Sequence, residues 1–227
     1  MIHTTFDGQT GSRHVATGGG YRQRLWAIAL SMAVVGAAML PLDLPIAAWI
    51  KTHGLPRELD RLLDFMEIFA HGTGITFLLL ALLALDRSLR TPPAWPGVCA
   101  RMAAAVITAG GCTSMLKAVV ERVRPRAADL GSLASVFGTF GTSALVDGKG
   151  SADVMSFPSG HAGAAAALAA ALAWRYPHGA SVFAVIAALA AAQRVSSSAH
   201  YPSDIAFGAA VGLLAASVWL GPLPRRS

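Results

Sequence analysis

Six side chains in three short stretches could together transfer a phosphoryl group. In "KAVVERVRP", Lys117 and Arg124 are seven residues apart. On a continuous helix that spacing puts them on one face, about 10 Å apart along the axis. Pro125 disfavours helical backbone at Arg124, which places the arginine at a helix exit. Two such cations could grip different edges of one phosphate if the chain folds back. Taken alone, they also read as a lysine and an arginine snorkelling to a membrane surface.

In "PSGH", Ser159 suits the N-cap of a helix whose first amides are left unpaired. Free amides and the helix dipole make such a start an anion site, with His161 one turn or less away. A capped helix carrying an interfacial histidine is the plainer reading. In "RVSSSAHYPSD", Arg194 and His200 precede Pro202, which suits the first turn of a helix. Asp204 then falls in that turn and can reach back to His200. A carboxylate that takes the proton of one imidazole nitrogen leaves the other lone pair free, as a nucleophilic histidine needs. Simple capping by Asp204 is the alternative.

The elements that must hold these groups are apolar. Of 227 residues 54% are hydrophobic and 13% charged, too few polar side chains to cover a soluble domain. Six uncharged stretches stand out, at Leu25–Leu42, Ile68–Leu85, Met102–Leu116, Ala162–Trp174, Ala180–Gln193 and Ile205–Leu223. They predict an all-α bundle of six transmembrane helices, a single domain over residues 25–223 behind a flexible cytoplasmic tail at 1–24. The fourth and fifth count 13 and 14 residues, and His161 and Arg194 flank them. Ionisable groups near membrane depth read as functional. Both segments are built largely of alanine, which permits the close helix approach that drives association in lipid.

With the N-terminus inside, all three clusters fall on the extracytoplasmic side. Lys and Arg divide evenly between the two sides, and the tie breaks if some outer cations belong to a site. Between the first two spans, Leu59, Leu62, Leu63, Met66 and Phe69 recur at helical spacing opposite six charges. This predicts an amphipathic helix on the outer membrane surface, or one packed on the bundle. Cys99 and Cys112 are too far apart along one helix for a disulfide and read as packing residues. The stretch 127–157 is a loop long enough to be functional or to carry a short helix.

In this order the three clusters resemble the type 2 phosphatidic acid phosphatase family, which shares a core with vanadium-dependent haloperoxidases and bacterial acid phosphatases. Its pattern is Lys-x6-Arg-Pro, Pro-Ser-Gly-His and Ser-Arg-x5-His-x3-Asp. Here it is met by Lys117, Arg124 and Pro125, by Pro158, Ser159, Gly160 and His161, and by Arg194, His200 and Asp204. Gln193 stands where the family usually has serine. The resemblance covers about residues 100–220. It implies that His200 attacks phosphorus to form a phosphohistidine, oriented by Asp204, while His161 protonates the leaving oxygen. Lys117, Arg124 and Arg194, with Ser159 and the Gly160 amide, would cradle the phosphate, with no metal or cofactor required.

The expectation is therefore a multi-pass enzyme of the plasma (inner) membrane, its site facing the periplasm or outside. Its partners are the bilayer and a lipid phosphate or diphosphate, with no nucleic acid. Candidate substrates within the family are undecaprenyl diphosphate, phosphatidylglycerophosphate, phosphatidic acid and the 1-phosphate of lipid A. A lipid phosphotransferase using the same phosphohistidine, and a non-enzymatic lipid transporter or scaffold, are the alternatives.

Overall fold

The computed structural model describes residues 18–89, 97–141 and 151–221. Among them the chain forms seven α-helices joined by loops and 3-10 turns. These are α1 (Gly18–His53), α2 (Arg57–Met66), α3 (Gly72–Leu85), α4 (Gly97–Val119), α5 (Gly160–Arg175), α6 (Ala180–Ser196) and α7 (Pro202–Trp219). The first helix starts before the expected tail boundary, so residues 18–24 are helical, and it continues through Pro41 and Pro45. Residues 1–17 of the expected tail and 142–150 of the long loop lie outside the described residues.

The alanine-rich α5 lies at the centre and packs against α4, α6 and α7, while α1 lies along α7. Contact depends on missing side chains. A methyl group at Gly208 would run into the Ser159 carbonyl, and one at Gly212 into that of Gly163. These two glycines, four residues apart on α7, let its backbone touch that of α5, which is how helices gain contact in lipid. The same logic holds at α1, where a methyl at Gly36 would meet the Phe207 ring at 2.8 Å. Cys99 and Cys112 are free thiols, partly buried in α4.

Four helical stretches are long and apolar enough to cross a membrane, namely 20–53, 97–119, 177–196 and 202–219. The pair 57–69 and 72–85, bent by 64° at the break between them, makes a fifth if it is counted as one span. The chain is thus a multi-pass membrane protein, but length and apolarity support four or five spans where six are expected. The helix absent from either count is α5, whose 16 residues reach about 24 Å, less than a hydrocarbon core of about 30 Å.

Helix α2 and the 3-10 turn Glu67–Phe69 occupy the stretch expected to be amphipathic. They pack against α6. Leu63 is buried and Met66 and Phe69 face Ala187 and Ala190, while Leu59, Leu62, Phe65 and Ile68 stay exposed.

Candidate functional site

Four helix ends converge on one side of the bundle: the exits of α4 and α6 and the starts of α5 and α7. Ser159 caps α5 by accepting from the Ala162 amide at 3.4 Å. Its own amide donates to the Asp204 carbonyl at 2.9 Å, fastening the start of α5 to that of α7. Lys117 lies in the last turn of α4, with Nζ 3.8 Å from where a Cβ on Gly160 would sit. The ammonium thus lies beside the helix start.

Lys117 and Arg124 do not share a helix face as the spacing suggests. Helix α4 ends at Val119. Beyond it the backbone is extended and takes its hydrogen bonds from the long loop: Arg122 donates to Val154, Val123 to Thr139 and Arg124 to Asp153, each at 2.8 Å. With Pro125 next and those acceptors on offer, extended backbone is favoured over another helical turn. Arg124 still reaches the cluster. Its guanidinium donates to the carbonyls of Ala152 at 2.8 Å and Ala199 at 3.2 Å, the latter belonging to the residue before His200.

His200 is 2% exposed. Its amide donates to the Arg194 carbonyl at 3.0 Å, which ties it to the exit of α6. Its Nδ1 lies 2.6 Å from the Ser156 carbonyl, an acceptor only, so Nδ1 carries the proton and Nε2 keeps its lone pair. Asp204 is less direct than expected. Its Oδ2 is 3.8 Å from Nδ1, and it accepts from Ser156 Oγ at 2.6 Å and from the Tyr201 amide at 2.9 Å. Ser156 therefore stands between the carboxylate and the imidazole, a role the sequence did not signal. Burial pushes the His200 pKa down to about 4, opposed by Asp204 and assisted by Arg124 and Lys117. At neutral pH the imidazole is uncharged, the state a nucleophile requires.

Under Asp204 lies a closed ionic layer. Arg122, with no exposed surface, donates to Asp204 and Ser203 through one terminal nitrogen, to Asp43 at 2.7 Å through the other, and to Thr139 at 3.0 Å through Nε. Its plane lies between the rings of Phe140 and Tyr201. Ser203 also donates to Asp43 through both its hydroxyl and its amide. Sequence reasoning passed over Arg122 and Asp43. A signal existed for Asp43, a carboxylate in the C-terminal half of a long apolar helix, where an ionised group is costly without a partner.

Above the site lies a more open rim. Arg194, in the last turn of α6, donates through one terminal nitrogen to Glu67 and to Gln193 Oε1, the latter at 3.0 Å. Gln193 Nε2 donates to Asp64 of α2 at 3.0 Å. His161, in the first turn of α5, has Nε2 3.7 Å from the same Glu67 oxygen, and its ring is 5.9 Å from that of His71. Asp64, Glu67 and His71 were not singled out from the sequence, where they read as the polar face of a surface helix and its exit.

The predicted residues thus come together, with Lys117, Arg124 and Arg194 around two histidines, Asp204 and the Ser159–Gly160 helix start. Three cations and an open helix N-terminus suit a tetrahedral oxyanion. A neutral imidazole beside them suits nucleophilic attack.

The family model of the PAP2 superfamily matches residues 99–225. No curated protein matches the chain. Among solved structures, the chain is similar to "the first transmembrane PAP2 type phosphatidylglycerolphosphate phosphatase from Bacillus subtilis", at a TM-score of 0.57 and 22% identity over 86% of this chain and 92% of that one.

Proposed function

Because the chain belongs to the PAP2 superfamily, we propose that it is an integral-membrane lipid phosphatase working through a phosphohistidine on His200. One observation carries this reading. A neutral, buried histidine with its Nδ1 proton committed to a carbonyl faces a cluster of three cations at one end of an apolar bundle.

In this reading Nε2 of His200 attacks phosphorus while the bond from phosphorus to the lipid oxygen breaks. His161 gives that oxygen a proton. Water then attacks the phosphohistidine, returns a proton to His161 and releases inorganic phosphate. Ser156 and Asp204 hold the attacking ring. Lys117, Arg124, Arg194, Ser159 and the Gly160 amide stabilise the charge on the transferring group. These groups supply the electrostatic stabilisation without a metal.

The bundle favours a lipid-borne phosphate. A groove of about 740 Å³ between α1, α5, α6 and α7 begins beside Ala162 and Pro202 and is lined almost wholly by apolar side chains. A hydrocarbon tail can lie there while the headgroup meets the histidines. We read the chain as six-helical in the membrane, with the short α5 sheltered by its neighbours and the site on the extracytoplasmic face. In that placement the exposed leucines of α2 meet the lipid surface.

Phosphate release by the purified protein tests this across phosphatidylglycerophosphate, phosphatidic acid, undecaprenyl diphosphate and lipid A 1-phosphate. At least one is hydrolysed, in a chelator as well as without it, and His200→Ala is inactive. Faster turnover of water-soluble esters than of every lipid would overturn the lipid assignment.

A further inference from the structure

Arg194 is held in an uneven way. A guanidinium has five N–H donors in a rigid fork. One terminal nitrogen is engaged twice, by Glu67 and by Gln193 Oε1. Its Nε is buried and has no acceptor at all. Buried donors are nearly always paired, so an empty one at a cation cluster points to an oxygen that arrives with a ligand. Arg122 shows the contrast, since each of its three nitrogens already has a protein acceptor.

The engaged corner is supported from outside the bundle. Asp64 accepts from Gln193 Nε2, which fixes the amide so that Oε1 faces Arg194. Glu67, three residues further along, takes the same guanidinium nitrogen directly. The position where the family pattern has serine is therefore occupied here by a side chain that links α2 to the arginine.

We propose that Glu67, together with the Asp64–Gln193 pair, positions Arg194, holding one corner of its guanidinium so that the Nε edge is presented to a phosphate oxygen. The same Glu67 oxygen lies 3.7 Å from His161 Nε2, so one carboxylate orients both a phosphate ligand and the leaving-group acid. This inference rests on Arg194 being a phosphate ligand. Glu67, Asp64 and Gln193 touch no reacting atom and act through Arg194 and His161.

The sign of an affinity change tests it. Removing a negative charge beside an anion site should, by Coulomb attraction alone, tighten anion binding. Positioning predicts the reverse. In calorimetric titration of the purified full chain with inorganic phosphate, Glu67→Ala weakens binding about tenfold, the loss expected when a charge-assisted hydrogen bond no longer orients the ligand's partner. Glu67→Asp restores part of it. Gln193→Ala, which changes no charge and leaves the Glu67 contact in place, also weakens binding and serves if Glu67→Ala does not fold. Unchanged or tighter phosphate binding in these variants would overturn the positioning role. Undiminished binding in Arg194→Ala would instead overturn the phosphate-site reading beneath it.

Discussion

Two arginines on either side of Asp204 and His200 do opposite jobs. Arg122 is sealed, and two carboxylates, two hydroxyls and two aromatic rings use it up. Arg194 is half sealed, gripped at one corner by Glu67 and Gln193 with Nε left over. A cation with no exposed surface, packed against two carboxylates with an acceptor at each nitrogen, holds structure in place. A cation with a donor to spare, next to a histidine, can take a ligand. The closed layer holds Asp204 and through it Ser156, and in the proposed reading the open rim meets the substrate.

The hardest blow to that division is His200→Ala, which lies between the two regions. It lowers phosphate release at least about a thousandfold while the protein stays folded, since the attacking atom is gone. Next, Arg122→Ala strips Asp43 and Asp204 of their buried partner. It costs about 3–5 kcal/mol and is read as a lower melting temperature or loss of folded protein. Arg194→Ala, by contrast, lowers turnover about a hundredfold and leaves the melting temperature within a few degrees of wild type. If Arg194→Ala unfolds the protein as Arg122→Ala does, the division between closed layer and open rim fails.

Smaller effects sharpen the boundary. Ser156→Ala removes the hydroxyl on Asp204 and keeps the carbonyl on His200, so kcat/KM falls about tenfold. The pH profile reports on which side of the boundary His200 lies. Its pKa is lowered to about 4, and only the neutral ring can attack. The acid limb of kcat/KM therefore sits near pH 4, with the histidine competent above it and protonated below. An acid limb near 6.5, the ordinary histidine value, would show that burial does not hold His200 neutral.

Much of the site is legible along the chain because its parts sit at helix ends with local signatures. Ser159 is a cap and Pro202 is a first-turn residue, and both do in the structure what their types suggest. The continuous helix from Lys117 to Arg124 was misread. Its termination depends on carbonyls of Thr139, Asp153 and Val154, which lie well along the chain and are invisible to local spacing. Length and apolarity alone count four or five spans rather than six for a related reason. An alanine-rich segment looks like any other apolar run until its neighbours show that protein surrounds most of it.

By itself the sequence determined an all-helical membrane chain and picked out the two histidines, three cations and aspartate to which the proposed chemistry is assigned. Apolarity, caps and motif spacing are properties of short stretches, so they survive without knowledge of the fold. Only the tertiary structure decided which arginine is spent and which is free. It also decided that Ser156 stands between Asp204 and His200, and that α2 reaches over to hold Arg194. Those are contacts between residues up to 127 positions apart. Whether a guanidinium has a donor to spare depends on every acceptor around it, and those acceptors are brought together only by packing.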